Sequence, residues 1–465
     1  MKKSYLFILA LASFFSCQKA LDVEPKMIIE NGGAITSVKD LETVLTGAYD
    51  GLQSGNTFGG NFVALSDFLA EDTKVDETKL SNFGTREIYF RQTTVQIGML
   101  GSMWSDAYSV INRCNNVIDV IDNNKITENG FDAKKGRIKG EALFLRAITH
   151  FELVRLFALP YDVNSTSNTQ PGVPYRVKPI LDGFDQASIE MARTPVQEVY
   201  EKALADLDQA ITLLTEAGQT TSIGRASAMA ATAYKARILF MMGKYGEAYT
   251  AATTVINSGN YSLNDSLPTV YLQTGNASTE ENIFQLINLT TDNSNSLQGF
   301  YRRAYNPVFT ASDSLYDSFD SLDFRKTQLL EKDFANRKFT KKYNQPTSSP
   351  INISILRLAE MYLIAAESNL LPGGNGDVTE AMTYYNLLRQ RAYKANYVAE
   401  TNPNGLLDKI RKERRRELCF EGDRLHNLKR MQQNLRDGVA YNDPSVLFKI
   451  PQAEISGNPL MEQNP

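Results

Sequence analysis

The segment from Gly136 to Leu159 constrains the fold more than any other part of the chain. It is apolar on almost every side of a helix, with apolar side chains at Leu143, Phe144, Leu145, Ile148, Phe151, Val154 and Phe157. A helix that is apolar all round lies inside a protein. The segment also contains Glu141, Arg146, Glu152 and Arg155, and unpaired buried charges are too costly to retain. We therefore predict a central helix whose charged side chains are paired inside the protein.

Other segments carry the apolar stripe of amphipathic helices. One stripe consists of Leu41, Val44, Leu45, Ala48 and Leu52, and another consists of Trp104, Tyr108, Ile111, Asn115 and Ile118. Ser37 is a suitable N-cap for the first helix. Thr194 to Gln197 has the pattern of a capping box with proline at the first helical position, and Gly218 is a suitable stop for the helix that follows.

Two helix pairs are predicted further along the chain. The first covers Arg225 to Met242 and Tyr245 to Ser258, and small residues at helical spacing within it allow two antiparallel helices to approach closely. The turn between them resembles a tetratricopeptide-type repeat. The second covers Ser354 to Leu370 and Asp377 to Arg391. The two pairs are degenerate and far apart in the sequence, which argues against a pure solenoid.

Two long regions, Gln53 to Gly101 and Tyr261 to Asn352, show no clear helical period. They are rich in polar and aromatic residues, and an apolar run such as Ile283 to Leu289 could form a short strand. Long loops on a rigid scaffold often carry function. We predict a mainly α fold of tetratricopeptide-like helix pairs, with long irregular loops and a few short strands.

The first residues have the features of an export signal. Lys2 and Lys3 precede an apolar run over residues 5–15, which is too short to span a bilayer. Ser16 followed by Cys17 is typical of a bacterial lipoprotein cleavage site, so we predict a signal peptide over 1–16, lipidation of Cys17 and a tether over 17–33. The alternative is an ordinary secretory signal in which Cys17 is incidental.

Catalytic and metal motifs are scarce. The chain has 2 histidines, of which His150 falls in the central helix and is predicted to be a core residue. Metalloprotease, serine hydrolase and nucleotide-binding signatures are missing from the sequence. Asp162, Asn164 and Thr166 alternate as calcium ligands do, but no bidentate Glu follows them. We predict no cofactor, no metal site and no enzymatic activity. A glycoside hydrolase remains an alternative, because it needs only a pair of carboxylates.

The formal net charge is −4 at pH 7, which argues against general nucleic-acid binding. The basic run Lys409 to Glu417 has apolar residues at helical spacing, so we interpret it as a packed helix with i,i+4 pairs made by Glu413 and Glu417. Besides Cys17, the chain contains Cys114 and Cys419. The sequence allows a disulfide between these two cysteines but does not decide whether it forms.

A series of motifs in a fixed order carries a family resemblance. In chain order, these are Cys17 with Leu21-Asp22-x-x-Pro25, Trp104-x-x-x-Tyr108-x-x-Ile111 with Asn115, Gly140-Glu141-Ala142-x-Phe144-Leu145-Arg146-Ala147, Leu153-Val154-Arg155-Leu156-Phe157 with Pro160-Tyr161, the Ala233 to Ala248 pair, Leu356-Arg357-Leu358-Ala359-Glu360-x-Tyr362-Leu363, Glu413-Arg414-Arg415-x-Glu417-Leu418-x-Phe420-Glu421-Gly422-x-Arg424, and Ile450-Pro451-x-x-Glu454-Ile455 with Asn458-Pro459. The chain resembles the SusD/RagB-type outer-membrane lipoproteins of the Bacteroidetes over nearly its whole length. It departs from their pattern at Asn427, where the family usually has Asp.

The resemblance implies a single helical unit over 34–465, with an N-terminal part of about 34–330 and a C-terminal part of about 331–465. It implies a lipid-anchored protein of the outer membrane that faces the cell exterior. The expected partner is a SusC-like TonB-dependent transporter, which the protein would cover as a lid. The expected ligand is an oligosaccharide, or a peptide as in some relatives. A scaffold that binds only protein partners is a further alternative.

The resemblance also implies where the ligand would bind: in loops before the Trp104 helix and in the second irregular region, Tyr261 to Asn352. The candidate ligand-binding residues there are Asn82, Phe83, Arg86, Tyr89, Phe90, Phe300, Tyr301, Arg302 and Tyr305. Aromatic rings can stack on the apolar faces of pyranose rings, while Asn and Arg can bond to hydroxyls. Trp104 is the single tryptophan, and it and Glu141 are expected to serve packing. We therefore do not expect a long starch-like ligand.

Overall fold

A computed structural model describes residues 35–76, 79, 84–180, 189–218, 224–292, 295–344 and 350–465. The helices are α1 Val38–Gln53, α2 Asn61–Leu69, α3 Thr85–Tyr89, α4 Gly98–Asp122, α5 Phe131–Phe157, α6 Val196–Glu216, α7 Ala228–Met241, α8 Tyr245–Ile256, α9 Leu267–Tyr271, α10 Leu297–Tyr301, α11 Asp313–Ser318, α12 Arg325–Gln328, α13 Leu358–Asn369, α14 Val378–Tyr393, α15 Leu406–Glu417, α16 Asp423–Arg430 and α17 Gln452–Gly457. The strands are β1 Thr73–Val75, β2 Asn282–Leu286, β3 Phe309–Ala311, β4 Leu330–Lys332, β5 Lys338–Thr340 and β6 Ile353–Arg357.

The long helices pack in a continuous series. Helices α1 and α4 pack on α5, α6 packs on α5, α7 on α6, and α8 on α7. Helix α13 then packs on α8, and α14 on α13. The mainly α fold and both predicted helix pairs are confirmed. The two pairs, distant in the sequence, are neighbours in space because the small apolar face of α8 (Ala248, Ala251, Ala252) is buried.

The charges predicted to be paired inside the central helix α5 are paired. Glu141 accepts a hydrogen bond from the Tyr49 hydroxyl at 2.8 Å and lies 3.3 Å from the Arg225 guanidinium. Arg146 donates two hydrogen bonds of 2.7 Å to Asp206 of α6. Glu152 pairs with Arg155 and accepts from the Tyr234 hydroxyl. Charged partners on α5 itself, on α6 and just before α7 thus neutralise the charges of α5, and tyrosine hydroxyls of α1 and α7 add hydrogen bonds.

Two local predictions about element starts are wrong. Helix α6 begins at Val196 with Pro195 as N-cap, and no side-chain cap forms. The Thr194 hydroxyl instead accepts the backbone N–H of Tyr175 at 3.1 Å, so the expected capping box is absent. The residues before Leu358 form strand β6, which pairs antiparallel with β2, rather than the first turn of a helix. The capping box of Ser37 on α1 is present as predicted.

The irregular regions contribute two small sheets. One has the strand order β1-β3-β5-β4, and the other consists of β2 and β6. All strand pairs are antiparallel. The short strand expected near Ile283 is therefore confirmed as β2, and strands from the two irregular regions join in the first sheet.

The basic run is a packed helix, α15, but its predicted i,i+4 pairing of Glu413 and Glu417 is wrong. Both carboxylates are buried and pair with Arg325, 2.7 and 2.9 Å away. Glu417 also pairs with Arg357 at 3.1 Å and with Arg391. The charges of α15 therefore hold distant segments together and are not a free basic patch.

Cys114 and Cys419 are both free and buried, so the possible disulfide between them is not formed. Burial raises the pKa of each thiol to about 12. Cys17, the signal peptide and the tether lie outside the described residues. Within the described ranges, no helix combines the length and the apolar character that crossing a membrane requires.

Candidate functional site

The two segments that the sequence nominated for ligand binding meet at one aromatic cluster. The rings of Phe68 on α2 and Phe309 on β3 stack with their centroids 3.3 Å apart. Phe300 of α10 contacts Phe68 edge-on at 5.6 Å, and Tyr89 of α3 lies 5.9 Å from Phe309. Phe90 adds a T-shaped contact with Tyr89 at 5.3 Å. Residues more than 200 positions apart in the sequence are thereby brought into one cluster, whose Phe90 and Phe300 are partly exposed.

The α3 side of this face is cationic and partly exposed. Helix α3 follows Gly84, whose φ of 109° favours glycine and whose N–H is accepted by the Glu87 carboxylate at 2.6 Å. Arg86 is exposed, and its guanidinium lies 5.2 Å from the ring centroid of Phe90. Tyr89 is half-buried beneath the Arg436 guanidinium, which is 3.5 Å from its ring. Asn82 and Phe83 lie outside the described residues.

Tyr301 does not lie on this face, which corrects the expectation that it contacts ligand. Its side chain is 2% exposed, and its hydroxyl donates a 2.6 Å hydrogen bond to the buried Asp67 carboxylate. Its ring stacks on Tyr343 at 5.1 Å. Burial raises the pKa of the Tyr301 hydroxyl well above its usual value. The residue therefore supports the site from inside the protein.

Arg302 and Tyr305 do form part of the surface. Tyr305 ends a 3₁₀ turn, Arg303–Tyr305, and is 59% exposed. The Arg302 guanidinium lies 5.6 Å from its ring. Beside it, the Asn306 amide oxygen accepts hydrogen bonds from Lys79 at 2.6 Å and Arg337 at 3.3 Å. The surface thus combines an exposed ring with polar donors.

Sequence reasoning missed Phe334, which is fully exposed in the turn between β4 and β5. The Glu331 carboxylate of β4 pairs with Arg303 at 3.3 Å, so this hairpin lies beside the 3₁₀ turn that carries Tyr305. The signal available in the sequence was a single Phe inside an otherwise polar stretch, Asp333 to Arg337. We call Arg86, Phe90, Phe300, Arg302, Tyr305 and Phe334 the aromatic face.

A cleft of about 870 Å³, partly open to solvent, lies behind α10 and is lined by both apolar and charged side chains. Its charged groups are engaged with one another: Arg237 with Glu360 at 2.6 Å, and Lys342 with Glu421 at 2.6 Å. Tyr343, whose ring stacks on Tyr301, also lines the cleft. Mutually paired charges of this kind favour a structural role over acid–base catalysis.

His150 is a core residue, as predicted. Its ring stacks on Tyr175 at 3.9 Å, and its Nε2 accepts the backbone N–H of Arg176 at 3.1 Å. Burial lowers its pKa to about 3, so the imidazole is neutral at physiological pH. Asp162 of the alternating oxygen motif accepts a hydrogen bond from Gln432 at 2.7 Å. Across the described ranges, the side chains show no acidic, His or Cys grouping that could hold a metal ion.

Comparison with known proteins decides the family. One family model, described as starch-binding and associating with the outer membrane, matches residues 19–240, and the SusD family model matches residues 252–444. The chain belongs to the SusD/RagB-like family. A SusD-like protein of Formosa agariphila, P2, is 25% identical, and the match covers 92% of this chain and 90% of that protein.

Solved SusD-like structures share the whole fold. A SusD superfamily protein of Bacteroides thetaiotaomicron has a TM-score of 0.82 and 26% identity, and the match covers 93% of this chain and 100% of that one. A candidate sugar-binding protein of Bacteroides vulgatus has a TM-score of 0.79 and 27% identity, with coverage of 93% and 99%. The mainly α architecture is therefore that of SusD-like proteins.

The SusD-like motifs of the sequence occupy structural positions. The Trp104 indole N–H donates to Glu454 at 3.2 Å, and Trp104 is 4% exposed. Asn427, where the chain departs from the family pattern, donates to Asp423 at 2.6 Å and its amide oxygen accepts from Arg430. An aspartate at 427 could not make the first of these bonds, because an ionised carboxylate only accepts.

Proposed function

We propose that this SusD/RagB-like chain captures an oligosaccharide at the cell surface and delivers it to a SusC-like TonB-dependent transporter. The observation that carries the proposal is the meeting of both irregular regions in one aromatic face. Exposed Tyr305 and Phe334 offer stacking surfaces for sugar rings, while Arg86 and Arg302 offer hydrogen-bond donors. The starch-binding description of the matching family model supports the same role.

A peptide ligand in the same uptake role is the second candidate. Trp104 is buried in the scaffold, so the aromatic face, as far as the structure describes it, contains no tryptophan. Its cations and moderate-sized rings also suit a peptide with acidic or aromatic side chains. Binding measured against a glycan library and a peptide library separates the two.

The ligand-binding test compares wild type with a Tyr305→Ala/Phe334→Ala variant by titration calorimetry on the best glycan. Each stacked ring contributes about 0.5–1.5 kcal/mol, so the double variant should bind about 5- to 150-fold more weakly. Val398→Ala is the control, since Val398 is 78% exposed on the loop after α14. Unchanged binding by the double variant contradicts the assignment of the aromatic face and favours a scaffold role.

We propose that the chain binds this ligand without turning it over. Pure protein incubated with the bound glycan should release no product over hours. Appearance of shortened glycan would instead favour the glycoside hydrolase alternative, whose carboxylate pair would then have to be sought among the 53 acidic residues.

We also propose that cleavage after Ser16 and acylation of Cys17 anchor the chain to the outer membrane. Two or three acyl chains hold a soluble domain firmly, because each buried methylene contributes about 0.8 kcal/mol. Metabolic labelling with a radioactive fatty acid should mark wild type but not Cys17→Ala. Labelling of that variant would contradict the lipoprotein proposal.

We further propose that residues 34–465 fold as one unit, in which the parts at about 34–330 and 331–465 are not independent. One hydrophobic core extends from Val38 to Met461, and Arg325 of the first part pairs with Glu413 and Glu417 of the second. Residues 34–330 expressed alone should not give a cooperative unfolding transition. A cooperative transition of that fragment would contradict the proposal.

A further inference from the structure

A small pocket away from the aromatic face is lined by basic side chains and by no carboxylate of the described residues. It lies where α5, α7 and α16 end and has a volume of about 290 Å³. Arg155, His426, Lys429 and Arg430 line it, together with the rings of Tyr161 and Tyr200. This excess of donors over acceptors is what an anion requires.

Lys429 is the group in this pocket whose bonding is least complete. It is 3% exposed, yet among the described residues its ammonium has one hydrogen bond, of 3.4 Å, to the Arg155 carbonyl. The neighbouring cations each have a carboxylate partner: Arg430 pairs with Glu367 at 2.7 Å, and Arg155 pairs with Glu152. A lysine ammonium has three donors, so a buried one without an anionic partner is costly.

Among the titratable side chains that line this pocket, Lys429 is the one whose charge changes near neutral pH. Burial, reinforced by the Arg155 charge, lowers the pKa of Lys429 to about 7. Burial lowers the pKa of His426 well below its usual value, so that ring is neutral. Burial raises the pKa of Tyr161 and of Tyr200, so both hydroxyls stay protonated.

We propose that this pocket binds a small oxyanion, meaning a carboxylate, sulfate or phosphate group, with the Lys429 ammonium as its principal partner. An oxyanion would supply the acceptors that the ammonium lacks, and the Arg155 guanidinium would lie on a second side of it. The pocket is small and narrow, so it has room for one such group rather than for a sugar chain. Arg155, Pro160 and Tyr161 are its partly exposed members, so the group would enter past them.

Sulfate is the probe, because it stays a dianion between pH 6 and 8. Titration calorimetry on the full-length protein should show saturable binding, about tenfold tighter at pH 6 than at pH 8. The reason is that the charged fraction of a lysine with a pKa near 7 falls from about nine-tenths to about one-tenth over that range. Lys429→Met should abolish the binding.

Lys412→Met is the matched control, since Lys412 is 65% exposed on α15 and pairs with Asp408 at 2.7 Å. It should bind sulfate like wild type. Lys429→Arg addresses the possibility that Lys429→Met fails to fold, because arginine stays charged and should bind sulfate with no change between pH 6 and 8. Absence of saturable binding to wild type at pH 6, equal binding to Lys429→Met, or a wild-type pH dependence in Lys429→Arg would each overturn the proposal.

Competition identifies the source of the oxyanion. Glucuronate that displaces sulfate, while glucose does not, would support a site for the acidic group of a larger ligand. Displacement by inorganic phosphate but not by glucuronate would support a site for a free ion. Because Lys429 is not part of the aromatic face, neither result depends on the oligosaccharide proposed above.

Discussion

Tyr301 and Tyr305 lie four residues apart, and the structure predicts opposite consequences for the same substitution. Tyr301→Phe keeps the ring contacts with Tyr343 and Phe420 but removes the hydroxyl that donates to Asp67. Asp67 is 1% exposed, so solvent does not replace the lost donor. Leaving a buried polar group with one partner fewer costs about 1–3 kcal/mol. We expect the free energy of unfolding to fall by that amount.

The assay is urea unfolding followed by circular dichroism, with thermal unfolding as a second measure. The entropy of unfolding is about 2.1 cal/mol/K per residue, so a chain of 465 residues loses about 1 °C of melting temperature for each kcal/mol of lost stability. The expected shift is therefore only about 1–3 °C. Tyr305→Phe is the control and should change the unfolding free energy by less than about 0.5 kcal/mol, because Tyr305 is 59% exposed.

Ligand affinity completes the test. Tyr301→Phe should bind the best glycan like wild type at temperatures where it is folded. The reasoning is refuted if Tyr301→Phe is as stable as wild type, or if it is stable but has lost ligand affinity, because Tyr301 would then lie at the ligand surface rather than beneath it.

Further predictions concern the buried charges and thiols. Glu417→Gln should destabilise the fold by about 3–5 kcal/mol, because Arg325, Arg357 and Arg391 lose a shared buried carboxylate. Burial acts to raise the pKa of Glu417, but these three arginines hold that pKa well below its usual value. The stabilisation from ionised Glu417 is therefore present above about pH 4.5 and is lost on further acidification. In the variant, the free energy of unfolding should change less with pH in the acid range. Lys429 has a folded-state pKa of about 7 against an unfolded value of about 10.5, so wild type should gain stability between pH 7 and 10 and Lys429→Met should not. Cys114 and Cys419 should react with a thiol reagent at pH 8 only after unfolding, measured in Cys17→Ala protein.

Each of these has an internal control. Glu198→Gln removes a 52% exposed carboxylate paired with Lys202 and should cost no more than about 0.5 kcal/mol. A loss for Glu417→Gln as small as that for Glu198→Gln would contradict the proposed importance of the buried network. Identical pH profiles for Lys429→Met and wild type would contradict the assigned ionisation, and rapid labelling of native protein would contradict burial of the thiols.

Much of the scaffold could be predicted because its signals are local. The apolar stripe beginning at Leu41 and the Ser37 cap define α1, and the helix pair on either side of Gly243 is visible in the spacing of small residues. The start of α13 was misjudged because helical periodicity does not reveal pairing with a distant strand. Ile353 to Arg357 extend as β6 only because β2 lies beside them.

The candidate site was harder to predict from the sequence than the scaffold, because it depends on which side chains are exposed. A continuous helix would place Tyr301 and Tyr305 on the same side, four residues apart. Instead α10 ends at Tyr301, and Arg302 is extended with φ −73° and ψ 126°, which sends one tyrosine inward and leaves the other exposed. Phe334 was missed because its one local signal, a single Phe in a polar stretch, does not by itself distinguish an exposed ring from a buried one.

By itself, the sequence determined that α5 is a buried helix and that its charges must be paired, because burial of an unpaired charge is too unfavourable to tolerate. Only the tertiary structure decided that Asp206 forms the ion pair with Arg146 and that the Tyr49 hydroxyl donates a hydrogen bond to Glu141. The same division holds for function. Motif order indicates the family, whereas the aromatic face and the pocket around Lys429 exist only because packing joins segments hundreds of residues apart, and no local pattern encodes such contacts.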